Sequence, residues 1–198
     1  MGVQGSGPDL DAARRNMKRL GSFEMRLAVH AWGQAAAAND QVWVIANGSV
    51  QDADLAALGT KLHASPAGGV AVPLAGVDAF EAHPYCFLPL PVSTRLPLHI
   101  HASFALTSNR RSLWTGQGQG EGISSDKAQW NDAIMSRLLP QLWCTLLLHF
   151  QQRNLVDQLR AVFPKLSNLE AIYRILAVNT LQVINQRFIT MIMVVVVV

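Results

Sequence analysis

Closely spaced prolines within an apolar stretch restrict the fold of the middle of the chain more than any other feature. Residues 86–91 read CFLPLP, and residues 96–101 read LPLHIH. Proline lacks the amide donor that a helix interior needs, and it drives the preceding residue toward extended geometry. The stretch is therefore predicted to be strand or extended backbone. The pair Arg110-Arg111 is then predicted to lie just beyond two strands.

Further strands and helices follow from the spacing of apolar residues before and within this stretch. Alternating or continuous apolar residues predict strands that join one sheet, and leucines at three-to-four spacing predict a helix. The predicted strands are Phe23–Trp32, Gln41–Ala46, Gly69–Leu74, Tyr85–Leu90 and Leu98–Leu106, and the predicted helices are 10–20 and Asp52–Leu62. The fold class is therefore predicted to be α/β, more closely α+β, with a mixed sheet and packed helices.

The C-terminal part of the chain has the pattern of helices. An apolar stripe from Trp130 to Phe150 predicts a helix over about 125–154. Pro140 lies inside this helix and is predicted to kink or divide it. A further helix is predicted over about 168–187. The tail ends in five valines and is far shorter than the roughly 20 residues of a membrane span; it is interpreted as a truncated end.

These elements predict an order of domains along the chain. Residues 1–22 are predicted to form an N-terminal extension or short helix, 23–115 the sheet domain, and 126–188 a helical segment. Residues 116–125 place glycine at every second position between Gly116 and Gly122, which predicts a flexible linker rather than a phosphate loop. Residues 189–198 form the apolar tail.

Composition limits the compartment and the partners of the chain. Half of the residues are hydrophobic and 15% are charged, as in a packed protein. The net charge of +3 is not accompanied by a base-reading motif, so no nucleic acid is expected as partner. Cys86 and Cys144 form no CxxC pair, which indicates a reducing compartment, the cytoplasm. The start MGVQGS fits the loose myristoylation pattern at Gly2, but it is also an ordinary glycine-rich start.

An ordered series of short blocks resembles the sacsin-like repeat proteins, which belong to the GHKL ATPases of the ninety-kilodalton heat-shock type. The blocks fall within about residues 42–176. They are Trp43–Ile45, Gly68–Leu74, CFLPLP at 86–91, LPLHIHASFAL at 96–106, SNRRSLW at 108–114 and Trp130–Pro140. The resemblance implies a segment downstream of an ATP-binding half, with a fold similar to the middle domain of the heat-shock chaperone.

The resemblance also implies a role for the arginine pair. In the chaperone family an arginine of the middle domain stabilises the charge that spreads over the γ-phosphoryl oxygens during transfer. Arg110 and Arg111 match this place, and one of the two is the expected catalytic residue, with Asn109 as a candidate cofactor-binding residue. The alternative is that both arginines form ordinary ion pairs. Neighbouring residues of an extended backbone point to opposite sides, so only one arginine is expected to face the phosphate.

ATP and Mg²⁺ are implied only for a larger family member. The ATP-binding half carries an Asp-x-Gly-x-Gly loop that these 198 residues lack. The chain is therefore expected to be half of an ATPase, to bind no cofactor alone, and to work with an upstream nucleotide-binding domain and with client or co-chaperone proteins. The alternative is a noncatalytic interaction module that binds partners through its sheet edge or helix face. The Trp130–Phe150 helix is a candidate docking face.

His99 and His101 lie two residues apart, so their rings are predicted to share one face of a strand. Two imidazoles supply only part of the ligand set that zinc requires, and no neighbouring Cys or His completes it. No metal site is therefore predicted.

Overall fold

The computed structural model describes residues 20–27, 41–76, 80–116 and 123–196, and their side chains over 42–76, 80–116 and 125–187. The predicted helix 10–20, except Leu20, lies outside these residues. So do Gly2, most of the predicted linker and the last two valines.

Six strands form one sheet, in the spatial order β1-β2-β3-β6-β4-β5. The strands are β1 Leu20–Leu27, β2 Gln41–Ser49, β3 Ala67–Pro73, β4 Pro84–Cys86, β5 Leu88–Pro89 and β6 His99–Ala102. All neighbours pair antiparallel except β4 and β6, which are parallel. The helices are α1 Ala53–Leu62, α2 Ile123–Ala133, α3 Leu139–Gln152, α4 Val156–Val162 and α5 Ala171–Val196. The predicted α+β class with a mixed sheet is confirmed.

Several predicted boundaries are wrong, each for a local reason. The first strand, Leu20–Leu27, begins three residues before the predicted Phe23, and the predicted strand residues 28–32 lie outside the described part of the chain. The single strand predicted over Tyr85–Leu90 is instead the β4–β5 hairpin, because the chain reverses at Phe87, whose φ is +66°. The last strand ends at Ala102, and Leu106 forms only an isolated bridge with Leu113.

The helical part also differs from the prediction. The short helix α4 was not predicted, and α5 begins at Ala171, just after Asn168 adopts a positive φ of +59°. The apolar tail continues this helix to Val196. In the described part of the chain, no helix is long and apolar enough to cross a membrane.

Local capping explains why α1 forms where the sequence predicts it. The side chain of Asp52 accepts a hydrogen bond from the backbone N–H of Leu55 at 2.9 Å, which satisfies one of the free donors of the first turn. The helix ends at His63, which adopts the left-handed conformation with φ of +50°. Asp52 also forms a salt bridge with Arg137 at 3.0 Å, which attaches the N-terminal end of α1 to the helical part of the chain.

The helix predicted over about residues 125–154 is divided near Pro140, as predicted. A π-helical turn, Ile134–Leu138, separates α2 from α3, and Pro140 occupies the first turn of α3. Proline is tolerated there because its missing N–H would lack a helical partner in any case. The backbone N–H of Leu139 donates to the carbonyl of Ile134, which closes the wider turn.

The apolar stripe of α2 and α3 is buried in the core of this chain. Trp130, Trp143 and Phe150 are fully buried, and they share one cluster with sheet residues such as Val70 and Ile100. The hypothesis that this helix face docks another domain or a client is therefore wrong. One face of the sheet is covered by helices that share its core, and the predicted division into domains stays a prediction.

Two adjacent glycines of β3 are expected to respond differently to alanine. A Cβ at Gly68 would lie 2.6 Å from the carbonyl oxygen of His101, whereas at Gly69 the nearest atom is the carbonyl oxygen of Ala46 at 3.5 Å. Gly68→Ala is expected to lower the free energy of unfolding by about 1–3 kcal/mol, because backbone must shift. Gly69→Ala is expected to change it by less than about 1 kcal/mol, in the stabilising direction. Urea unfolding of both variants tests this, and equal midpoints would contradict it.

Candidate functional site

The arginine pair lies on a tight, exposed turn that follows β6. The bridge between Leu106 and Leu113 closes the turn, and the N–H of Thr107 donates to the carbonyl of Ser112 at 3.0 Å. Inside it, the N–H of Arg110 donates to the carbonyl of Thr107 at 2.8 Å. Arg110 has a φ of +55°, so the turn is not extended backbone. The rule that neighbouring side chains point to opposite sides therefore does not apply to this pair.

Asn109 organises the turn from within. Its carboxamide oxygen accepts hydrogen bonds from the hydroxyl of Thr107 at 2.8 Å and from the backbone N–H of Arg111 at 3.1 Å. Such local side-chain bonds are typical of asparagine in turns. The geometry gives Asn109 a structural task, and its assignment to cofactor binding stays a prediction.

Both guanidinium groups are on the surface. Residues 108–111 are exposed, and within the described residues neither arginine forms a salt bridge with a carboxylate. Burial raises the pKa of the Cys86 thiol, and the positive charge of Arg110 opposes that rise. Arg110 thus acts electrostatically on Cys86 of β4, and both arginine side chains are exposed.

Two neighbouring residues of α2 hold the backbone on both sides of the turn. The indole N–H of Trp130 donates to the carbonyl of Ser103 at 2.8 Å. The fully buried amide of Asn131 accepts from the N–H of Ala105 at 2.9 Å and donates to the carbonyls of Ala105 at 2.8 Å and Trp114 at 2.9 Å. All hydrogen-bonding atoms of this amide except one lone pair are used, so the base of the turn is rigidly placed.

From the sequence, Trp130 was assigned to an apolar stripe and to a resemblance, and Asn131 to the resemblance alone, so the hydrogen bonds that both side chains make were not predicted. The available signal was a polar amide within an apolar helical stripe, since a buried polar group must have partners. Which partners it binds could not be read from the sequence, because they lie 17 and 26 residues earlier.

The face of the sheet opposite the helices carries an aromatic and histidine cluster. Trp43 and His99 stack with ring centroids 5.6 Å apart, while Phe80 and Tyr85 meet His99 edge-on at 4.5 and 4.9 Å. His101 lies beside His99 on this face, as predicted. In the portions that the structure describes, no three His, Cys, Asp or Glu side chains converge on a metal position.

His99 is held as a neutral imidazole. Its Nδ1 accepts the backbone N–H of His83 at 2.9 Å, so that nitrogen carries no proton. Burial, together with the nearby His83, lowers the pKa of His99 to about 4. Burial also lowers the pKa of His101.

The fold and the turn define an α+β module that displays an arginine pair on a braced turn. Part of this module is related to a known protein: 88 residues are 38% identical to a segment of sacsin from Homo sapiens. The match covers 44% of this chain and 2% of the length of sacsin. No protein-family model matches the chain, and no solved structure matches it. The chain thus contains a sacsin-related segment, while its place among the GHKL ATPases, downstream of an ATP-binding half, stays a prediction.

Proposed function

We propose that this chain is a segment of a sacsin-like, ATP-dependent chaperone, and that it presents Arg110 or Arg111 to the γ-phosphate of ATP held by a separate nucleotide-binding domain. The observation that carries the proposal is the braced, exposed turn with two guanidinium groups that no carboxylate among the described residues neutralises. The relation to sacsin supports the chaperone class.

The chemistry of phosphoryl transfer explains why this arrangement suits the role. Charge in the transition state is spread over the oxygens of the transferred group, and a guanidinium offers paired donors in a fixed plane. An arginine stabilises such a transition state most when its backbone is already held in place, because little conformational entropy is then lost when the contact forms. The hydrogen bonds of Thr107, Asn109 and Asn131 supply that placement.

ATP and Mg²⁺ belong, in this proposal, to the nucleotide-binding domain. The turn contains two cations and the amide of Asn109, which suit phosphate oxygens rather than a metal ion. The residues of this chain therefore contribute charge and orientation, and Mg²⁺ contributes charge neutralisation when it is bound with the nucleotide. We place this activity in the cytoplasm, since both cysteines are free thiols.

Alanine substitution of the arginine pair tests the proposal. In the polypeptide that joins this segment to its nucleotide-binding domain, Arg110→Ala together with Arg111→Ala is expected to reduce ATP turnover by at least about tenfold. The affinity for ATP is expected to change much less, because the contact acts on the transition state. The two single variants identify which arginine acts. Arg160→Ala, an exposed arginine of α4, is the matched control.

Unchanged turnover in the double variant would remove the catalytic role of the turn. An equal loss of turnover in Arg160→Ala would show that the effect is one of general charge, and it would count against the proposal in the same way.

A noncatalytic interaction module is the second candidate, and a specific observation favours it. Phe87 and Leu88, at the β4–β5 hairpin, are 81% and 75% exposed. Exposed apolar residues beside a cluster of aromatic residues are typical of a surface that contacts a partner. Two results together would favour this candidate. The chain on its own would bind the partner, and the parent protein would bind it equally well with and without nucleotide.

A further inference from the structure

The sheet face opposite the helices forms an open groove of about 820 Å³. This volume falls in the range of ligand sites, which is about 300–1,000 Å³. The groove runs along β3 from Ala71 to Ala67, so it is roughly 13 Å long and takes about four residues of extended peptide. Its sides come from β2 on one edge and from β6 and β4 on the other.

The floor of the groove carries no side chain larger than a methyl group, and one of its residues is a glycine at a position where a Cβ would fit. Gly69 and Ala71 of β3 lie along the floor, between Asn47 and Ile45 on one side and the histidines of β6 on the other. A Cβ at Gly69 would meet only ordinary contacts at 3.5 Å, and the residue does not have a positive φ. Glycine weakens a strand interior, and in strands it often marks a place where another backbone approaches closely.

The walls of the groove are aromatic and carry no net charge. Trp43, Tyr85, His99 and His101 line it, and none of its lining residues is Asp, Glu, Lys or Arg. The lowered pKa values of His99 and His101 keep both rings neutral near pH 7. An ionic ligand would lose its hydration here without gaining a counter-charge, which is costly, so the groove is complementary to an uncharged occupant.

Two further features extend this surface and favour a peptide. Phe87 packs edge-on against His101 at 6.0 Å, is largely exposed, and has the left-handed φ of +66° that is unusual for a bulky side chain. Such strain in a surface residue is often found at binding sites. In addition, Leu88 next to Phe87 is 75% exposed, so the apolar surface continues from the groove onto the β4–β5 hairpin, where an extended occupant can follow it.

We propose that this groove binds an extended, uncharged, apolar segment of a partner protein, with the peptide lying along β3 between Trp43 and His101. Binding on the sheet face differs from addition to a sheet edge, because both neighbours of β3 are already paired with it. The proposal is independent of the arginine turn.

Titration of the ¹⁵N-labelled full chain with a capped heptapeptide, SLAPLAS, tests the proposal, with capped SEAPEAS as the charged control. We expect SLAPLAS to shift the amide resonances of Gly69 and Ala71 with saturation, and SEAPEAS to leave them unchanged. Gly69→Val places a branched side chain on the floor, where its Cβ would meet no atom closer than 3.5 Å, and it is expected to weaken binding by about tenfold or more. His101→Glu is expected to weaken it similarly, while Gln152→Glu, the same charge change on exposed α3, is not.

Three results would overturn the proposal. If SLAPLAS does not bind at millimolar concentration, or if it binds folded Gly69→Val as tightly as the parent chain, the groove is not the site. Equal binding of both peptides would contradict an uncharged occupant. Concentration-dependent shifts of Gly69 without peptide, or nuclear Overhauser contacts from residues 28–40 to Ala71, would mean that a second copy or the chain itself occupies the groove. Double substitution of Arg110 and Arg111 by alanine is expected to leave peptide binding unchanged, because neither residue lines the groove, so this test and that of the ATPase role fail separately.

Discussion

Replacement of Asn131 by leucine is expected to lower the free energy of unfolding by about 3 kcal/mol. The side chain is fully buried and makes three hydrogen bonds to the backbone of Ala105 and Trp114. Each buried backbone group that loses its partner costs about 1–3 kcal/mol. Leucine has a similar size, so the loss reflects missing hydrogen bonds rather than an empty volume. Urea unfolding followed by circular dichroism measures the effect.

The matched control for this substitution is Asn109→Ala, at the exposed end of the same turn. Its loss is expected to stay below about 1 kcal/mol, because water replaces the exposed bonds. Hydrogen exchange adds a local measurement. In Asn131→Leu the amide of Thr107, which bonds to Ser112, is expected to exchange faster than in the parent chain. If Asn131→Leu and Asn109→Ala unfold at the same urea concentration, the buried amide does not hold the turn.

The free energy of unfolding is expected to fall by at most about 3 kcal/mol between pH 7 and pH 4 through His99, because the ring is only half buried and solvent screens part of the effect. Its pKa is about 4 in the folded chain, against 6.5 for an unperturbed histidine. Between these values the unfolded chain binds the additional proton, so acid favours unfolding. The stability is fully present above about pH 6.5 and is lost as the pH falls toward 4. A difference of 2.5 pH units corresponds to about 3 kcal/mol.

His99→Asn separates this contribution from other titrating groups. Asparagine keeps an acceptor for the backbone N–H of His83 but does not titrate. The lowered pKa values of Asp52 and His101 reduce stability in acid, and the raised pKa of Asp132 acts in the opposite direction. All three groups remain in the variant. Urea unfolding at pH 4, 5, 6 and 7 is expected to show a smaller pH dependence in His99→Asn. Parallel curves for the two proteins would refute the assignment to His99.

The elements that were predicted well are those whose signals are local. Asp52 caps α1 three residues before its partner Leu55, and Pro140 divides the long helix through its own missing N–H. The strands β2 and β3 were predicted from the run of apolar residues within each of them, and the structure pairs the two runs in the sheet. The reversal at Phe87 was missed, since a left-handed φ is unusual for phenylalanine and no local residue indicates it.

The candidate site shows the same division. The arginine pair was found from a motif, but its turn conformation, with Arg110 left-handed, was not. The partners of Asn131 and the groove along β3 depend on residues that are distant in sequence and close in space.

Local sequence patterns were sufficient to predict the α+β class, the extended backbone around the prolines and the division of the helix at Pro140, because each depends on residues within one or two turns or strands. Contacts between distant segments were needed to establish that β4 joins β6 in parallel, that the Trp130–Phe150 stripe is core, and that the other sheet face forms an uncharged groove. The physical reason is that strand order and burial are set by contacts between distant segments, whose free energy depends on the whole packed chain.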